Sequence, residues 1–406
     1  GVAFPDAAKL LGIELDAWRR GVLAARQRVV FVVPSTVCGA PMGAHALWDE
    51  IAARLGLDQE ETLARIASSP HALLAERDAS IAPVAPVSLL ELPEGRPMWS
   101  LPGSRFARDD VLHTSATALD KLATCPLRFV LEQHAKLRAG ALARVADGPL
   151  LNGSLGHRLV EELHLEGAFA LEEDAFAARA EQVLEALVRT EAATLLLEGA
   201  AFERAQLVPQ LLRGMRALFR FLRENGWRIA AVEESVETSS SIGTLHGRID
   251  VRLENDIGKQ AVLDLKWGES TYRALVEGGR AVQLAAYVHA IRAGNGKRSL
   301  PPAAYFALQS GKVITADERI GAPKTLDGAT LGDTWARVER TARAVQSSLR
   351  DGKVYVAATR RALPLLDALG IPEGEQAAFH TTERADDACK YCEHPTICGA
   401  AWEGVR

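Results

Sequence analysis

The sequence predicts an α/β fold, a central mixed β-sheet flanked by helices, and two patterns predict it. β-rich runs at 227–238, 244–253 and 261–267 follow one another closely, and 303–308 with 312–315 add a hairpin around Ser310-Gly311. Helical spacing lies on both sides of the runs. Leu155, Leu159 and Leu163 recur every four residues upstream, and 281–292 and 331–349 keep helical spacing downstream.

Taken in order, residues 1–80 alternate helix and strand patterns. The stretch 15–27 reads as a helix, 28–33 as a β-rich run ended by Pro34, and 44–55, 59–67 and 71–77 as short helices. The segment 81–108 carries Pro83, Pro86, Pro93, Pro97 and Pro102, a density that predicts a linker or an extended strap. Domain-like sequence then runs over 109–406. Thr114 or Ser115 is placed to cap a helix over 116–123, which Cys125-Pro126 ends. Helices dominate 156–225, where Val183, Leu184 and Leu187 keep the spacing and 195–197 adds a later apolar run. Arg213, Arg216, Arg220 and Arg223 form a basic stripe, read first as a solvated face and second as a phosphate track. The tail 355–406 reads as irregular and holds a cysteine cluster.

The 406 residues are 48% apolar and 24% charged, ordinary globular composition for two or three domains or one large one. No run of eighteen apolar residues predicts a membrane span, and the first residues lack a basic start and an apolar signal core. A cytoplasmic protein is therefore expected. Gly1 in place of Met reads as a trimmed tag or a piece of a longer chain. A net charge of −5 neither favours nor excludes nucleic acid, since a basic groove can sit on an acidic surface. No Gly-x-x-x-x-Gly-Lys-Ser/Thr phosphate loop occurs, which excludes ATP hydrolysis by that machinery.

The chemistry concentrates where Gly247-Arg-Ile-Asp250 leads into Ala261-Val-Leu-Asp264-Leu-Lys266. Residues i and i+2 of a strand share a face, so Asp264 and Lys266 project together. A hairpin through 255–259 brings Asp250 beside them. Two carboxylates and an ammonium on one face are costly to bury without a purpose. A hard divalent cation, Mg²⁺ or Mn²⁺, supplies one. The bland alternative gives Asp250 a turn role and pairs Asp264 with Lys266 or Arg248 on a surface. Among five cysteines, Cys389, Cys392 and Cys398 have ligand spacing, and with Cys125 they would make a four-thiolate site. Cys38 falls outside that pattern and reads as a buried small residue.

These motifs come in a particular order. Gly153-Ser-Leu-Gly-His157 opens a helical pattern, Asp250 and Asp264-x-Lys266 follow, and Gln283-x-x-x-Tyr287 comes next at helical spacing. The order resembles the RecB-like branch of the PD-(D/E)XK nuclease superfamily. The segment His113 to Phe129 resembles the start of AddB-type nuclease domains, and Cys125 with Cys389, Cys392 and Cys398 resembles their iron–sulfur staple. The resemblance covers the chain from His113 onward. It implies a restriction-endonuclease-like sheet with its termini stapled together by a [4Fe–4S] cluster, structural Zn²⁺ being the alternative.

The resemblance further implies a metal held by His157, Asp250, Asp264 and the Leu265 carbonyl, with Lys266 acting on the attacking water. It gives Gln283 and Tyr287 a supporting role, against a null of surface glutamine and core tyrosine. The implied activity is a Mg²⁺- or Mn²⁺-dependent deoxyribonuclease, most simply an exonuclease. It would process DNA double-strand breaks on single-stranded or end-containing DNA, with a helicase subunit as partner. Residues 1–80 would then be the remnant of a helicase-like region. Two alternatives stand beside it: a stand-alone, CRISPR-associated type of iron–sulfur exonuclease, and a non-catalytic DNA-binding scaffold.

Overall fold

The computed structural model describes residues 7–26, 36–37, 40–41, 46–57, 95–101, 112–137, 148–295, 299–357, 359, 362–380, 389 and 392–401. The chain divides into two compact units, Gly1–Glu91 and Leu92–Arg406.

In the first unit, helix α1 spans Ala7–Ala24, starting well before the expected position 15. Ala7, Ala8, Lys9 and Leu10 are strong helix formers, and the single Gly12 does not break the run. Strands β1 (Thr36–Val37) and β2 (Ala40–Pro41) pair antiparallel. Helix α2 (Ala46–Leu55) is tied to α1 by Arg19, whose Nε and Nη2 both donate to Glu50 Oε2, at 3.1 and 2.7 Å. The expected elements at 28–33, 59–67 and 71–77, and Cys38, lie outside the described residues.

The second unit is built on a six-stranded mixed sheet. Its strands are β4 (Leu112–Ser115), β5 (Trp227–Ser240), β6 (Gly243–Asn255), β7 (Gln260–Lys266), β8 (Ala303–Ala307) and β9 (Lys312–Ile314). β5 runs antiparallel along the whole of one edge of β6. The opposite edge is shared. β4 pairs parallel with Gly243 to His246, and β7 pairs antiparallel with Val251 to Glu254, so residues 247–250 lie between two partners. β8 then joins β7 in parallel and β9 closes the expected hairpin.

Alternation along the strands feeds two cores. Val251, Leu253, Leu263, Leu265 and Phe306 face one way, toward helices Gly148–Leu165, Glu173–Thr190 and Ala201–Glu224. Val262, Tyr305 and Ala307 face the other, toward helices Ala116–Thr124, Val282–Asn295 and Leu331–Arg350. Among the described residues, no helix is long and apolar enough to cross a membrane.

Three expectations change in detail. Ser115, the last residue of β4, caps the helix that follows, its Oγ accepting the Ala118 N–H at 3.1 Å, while the buried Thr114 hydroxyl donates to the Ser115 carbonyl. The proline-rich segment includes a strand, β3 (Met98–Ser100), paired antiparallel with β10 (Lys353–Tyr355). Pro97 flanks it and contributes only its carbonyl, which accepts the Val356 N–H at 3.0 Å, so no missing amide interrupts the ladder. The tail holds short helices at Leu365–Ala368, Glu373–Gln376 and Pro395–Cys398 where irregular chain is expected.

One contact binds the helices to the sheet. A Cβ on Gly214 would lie 2.2 Å from the Leu308 carbonyl oxygen, and one on Gly156 would lie 2.5 Å from the Leu308 side chain. Gly214→Ala is therefore expected to destabilise the protein by about 3 kcal/mol in chemical denaturation. Gly153→Ala, with nothing within 4 Å of the added methyl, should instead stabilise it by about 0.5–1 kcal/mol.

Candidate active site

The site lies where β6 and β7 part. Their pairing ends at Val251 with Leu263, and the same register continued places Asp250 opposite Asp264. Asp250 replaces the missing ladder bond: its Oδ2 accepts the Leu265 N–H at 2.7 Å. His157 approaches the same residue from its helix, with Nε2 3.0 Å from the Leu265 carbonyl oxygen and 3.7 Å from Asp250 Oδ2. The split thus gathers His157, Asp250 and both polar backbone groups of Leu265.

Asp264 is fully buried, and neither of its oxygens has a directed hydrogen-bond donor among the described residues. Lys266, two residues on and on the same face as expected, forms a close ion pair with it, Nζ to Oδ2 2.5 Å. Contact at that distance without hydrogen-bond direction leaves lone pairs facing nothing that satisfies them. Burial, with the Asp250 charge adding to it, pushes the Asp264 carboxyl up to about 7, against the pull of Lys266. Burial raises Asp250 too, with His157 and Lys266 opposing. Burial lowers Lys266, but the charges of Asp264 and Asp250 outweigh it and the net shift is upward. Lys266 is an ammonium at neutral pH.

Aromatic rings hold that ammonium. Nζ lies 5.5 Å from the ring centre of Tyr272, on helix Ser270–Glu277, and 6.0 Å from that of Tyr305, on β8. Gln283 Nε2 donates to the Tyr287 hydroxyl at 3.0 Å, as i,i+4 spacing on one helix allows. Tyr287 is buried, and its phenol is pushed up to about 12 by burial, with the Asp264 and Asp250 charges adding to it against the Gln283 hydrogen bond. A Cβ at Gly247 would meet the Tyr287 ring at 2.8 Å, so glycine there lets the ring lie against β6.

Sequence reasoning missed Glu233, Tyr272 and Tyr305. Glu233 Oε1 lies 3.2 Å from His157 Nδ1, and Glu233, His157 and Asp250 offer ligand atoms within 4.8 Å of one another. Burial lowers His157, but the Glu233 hydrogen bond and the Asp250 charge outweigh it. Both ring nitrogens face oxygen, and the net shift of the imidazole is upward. The residues fit a divalent ion: unsatisfied buried carboxylate oxygens, a carboxylate opposite, an imidazole and a carbonyl. Nothing in the local sequence Val-Glu-Glu-Ser marks Glu233, because only strand register sets it against Asp250.

The cysteines gather elsewhere. Cys125 is buried, and burial raises its thiol while the backbone N–H groups of Arg128 and Ala357 hydrogen-bond the sulfur. Cys392 and Cys398, more than two hundred residues on, lie close enough for their charges to act on it. The Cys392 N–H donates to the Cys389 carbonyl at 3.0 Å, and the His394 N–H to Cys392 Sγ at 3.4 Å. Arg128 and Lys121 both pair with the buried Glu132 beside this group. The arginine stripe is on the surface. Arg220 pairs with Glu173, and Arg223 donates to the Leu171 carbonyl at 2.8 Å.

A family model for the PD-(D/E)XK nuclease superfamily matches residues 113–399. No curated protein matches the chain. The matched span includes every residue of the site and all of the six-stranded sheet but Leu112.

The Asp264 shift has a measurable consequence. Its folded value, about 7, stands above the ordinary 3.8, so the folded state holds the proton more tightly. The stability this contributes is complete below about 3.8 and is lost as pH rises toward 7. In chelator, the melting temperature should fall across that window, and Asp264→Asn should flatten the fall. Parallel profiles for the two proteins would show that Asp264 does not titrate there.

Proposed function

The chain belongs to the PD-(D/E)XK nuclease superfamily, and from that premise we propose that it is a divalent-metal-dependent deoxyribonuclease. One observation carries the reading: a fully buried Asp264 with unsatisfied lone pairs, set opposite Asp250 and paired with an ammonium. A structural ion pair has no need of orphaned oxygens, whereas a cation site does. His157, Asp250, Asp264 and the Leu265 carbonyl would hold Mg²⁺ or Mn²⁺. An ion held there would lower the pKa of a coordinated water and stabilise charge on the scissile phosphate.

The chain's own groups do the rest. Lys266 orients the attacking water and offsets phosphate charge from a position set by Tyr272 and Tyr305. Its raised pKa favours orientation over proton abstraction. Gln283 and Tyr287 brace the wall of the site. The water loses a proton to solvent as its oxygen bonds to phosphorus, the P–O ester bond breaks, and the leaving oxygen takes up a proton from solvent in return. The resemblance to RecB-like and AddB-type domains supports DNA ends as substrate, exonucleolytic cutting in break repair, and a helicase subunit as partner.

The four cysteines would carry a [4Fe–4S] cluster in a structural role. Zinc bound by four thiolates at 2.3 Å requires sulfurs about 3.8 Å apart. The likeness of the cysteine spacing to the iron–sulfur staple of AddB-type domains favours the cluster over zinc.

Labelled single-stranded and duplex DNA, with Mg²⁺ or Mn²⁺ and with or without ATP and a helicase, tests the activity. Asp250→Ala and Asp264→Ala should each lower the rate by several orders of magnitude while DNA binding survives. Wild-type cutting by either variant would refute the site. Lys266→Ala should slow cleavage strongly with Mn²⁺ affinity kept or improved, since it removes a neighbouring positive charge.

The cysteine reading has a separate test. Anaerobic protein should be brown and contain iron and sulfide for one cluster, and Cys125→Ala or Cys392→Ala should lower the melting temperature. Tightly held Zn²⁺ without iron or sulfide, in protein made with iron supplied, would replace the cluster by zinc and leave the nuclease reading intact.

A further inference from the structure

Glu233 stands in the middle of β5 with φ 49°, left-handed backbone that a residue with a side chain adopts only under strain. The ladder to β6 shifts register between Ile229 and Ala231, and the pairs on either side of Glu233 are Val232 with Val251 and Glu234 with Ile249. The same register sets Glu233 against Asp250. Such irregularities re-aim side chains beside functional sites.

Here the re-aimed carboxylate is used at both oxygens. Oε1 lies 3.2 Å from His157 Nδ1, and Oε2 lies 2.9 Å from Arg248 Nε, which also donates to the Glu233 carbonyl at 3.1 Å. A carboxylate occupied at both oxygens is poorly placed to be a ligand, and well placed to orient one. A histidine that binds metal through one nitrogen donates the other N–H to such a group.

We propose that Glu233 is a positioning residue. From its strained place on β5 it holds the Nδ1–H of His157, which turns Nε2 toward Asp250 and the Leu265 carbonyl, and Arg248 anchors it from the surface. The proposal rests on the metal-site reading above. It gives the strain a reason: a relaxed strand residue at 233 would direct its side chain elsewhere, and the imidazole would lose the partner that fixes its tautomer.

Mn²⁺ titration calorimetry on the full chain tests it, with Asp250→Ala as control and melting in chelator as the second readout. Glu233→Ala and Glu233→Gly should both weaken Mn²⁺ binding about tenfold or more. Glu233→Gln, which keeps an oxygen for Nδ1–H, should lie nearer wild type. Glu233→Gly should melt above Glu233→Ala, since glycine takes a positive φ without strain. Loss of Mn²⁺ binding in Asp250→Ala with wild-type affinity in both Glu233→Ala and Glu233→Gly would overturn the proposal and leave the metal site standing. A Glu233→Gly protein that melts lower yet binds Mn²⁺ normally would make Glu233 merely structural and overturn it too. Wild-type protein that binds no Mn²⁺ would remove both readings.

Discussion

Asp264, buried without a directed donor and set opposite a second carboxylate, is the constraint that the rest of the structure answers to. Low dielectric makes each charge there costly and makes the two repel. The fold answers with the Lys266 ion pair, a Leu265 N–H on Asp250 and an imidazole held between Glu233 and the strand. These measures moderate the repulsion without satisfying the Asp264 oxygens. A protein held only to stability would replace such a group with an apolar one, so its presence argues for a ligand.

The parting of β6 and β7 creates the site, and packing behind it makes the site rigid. Leu308 and Gln309 donate to the carbonyls of Lys266 and Trp267 at 2.7 and 3.0 Å, extending β8 along the end of β7. Leu308 also fills the notch left by Gly156 and Gly214 on two different helices. The helix that carries His157 is thereby set against the strand end that carries Asp264 and Lys266. In the motif Gly153-Ser-Leu-Gly-His157, the crowded glycine is Gly156, next to the histidine, while Gly153 has open space. Close packing of the Leu308 and Leu211 side chains, not a flexible hinge, explains glycine at 156.

The cysteine group works on a different scale. Cys125 sits at the junction of two helices near the start of the sheet domain, and Cys392 and Cys398 reach it from the far end of the chain. A cross-link of that span restricts the unfolded chain more than any local contact does. Backbone N–H groups point at both Cys125 and Cys392. The candidate metal site and the cysteine group share no residue, so each can be altered without touching the other.

Much of this was legible in the residues themselves. Period-two spacing placed Asp264 and Lys266 on one face, and i,i+4 spacing joined Gln283 to Tyr287. Each is a relation within one element or one turn, which sequence order encodes. Glu233, Tyr272 and Tyr305 were not legible, because each meets the site through strand register or helix packing. The strand at Met98–Ser100 was hidden for the same reason, its partner being Lys353–Tyr355. The sequence by itself determined the α/β class, the order of the motifs and the pairing of Asp264 with Lys266. Tertiary structure alone decided that β6 and β7 part at Asp250, that Asp264 is left without a donor, and which carboxylate holds His157, because those depend on pairings between residues distant in the chain.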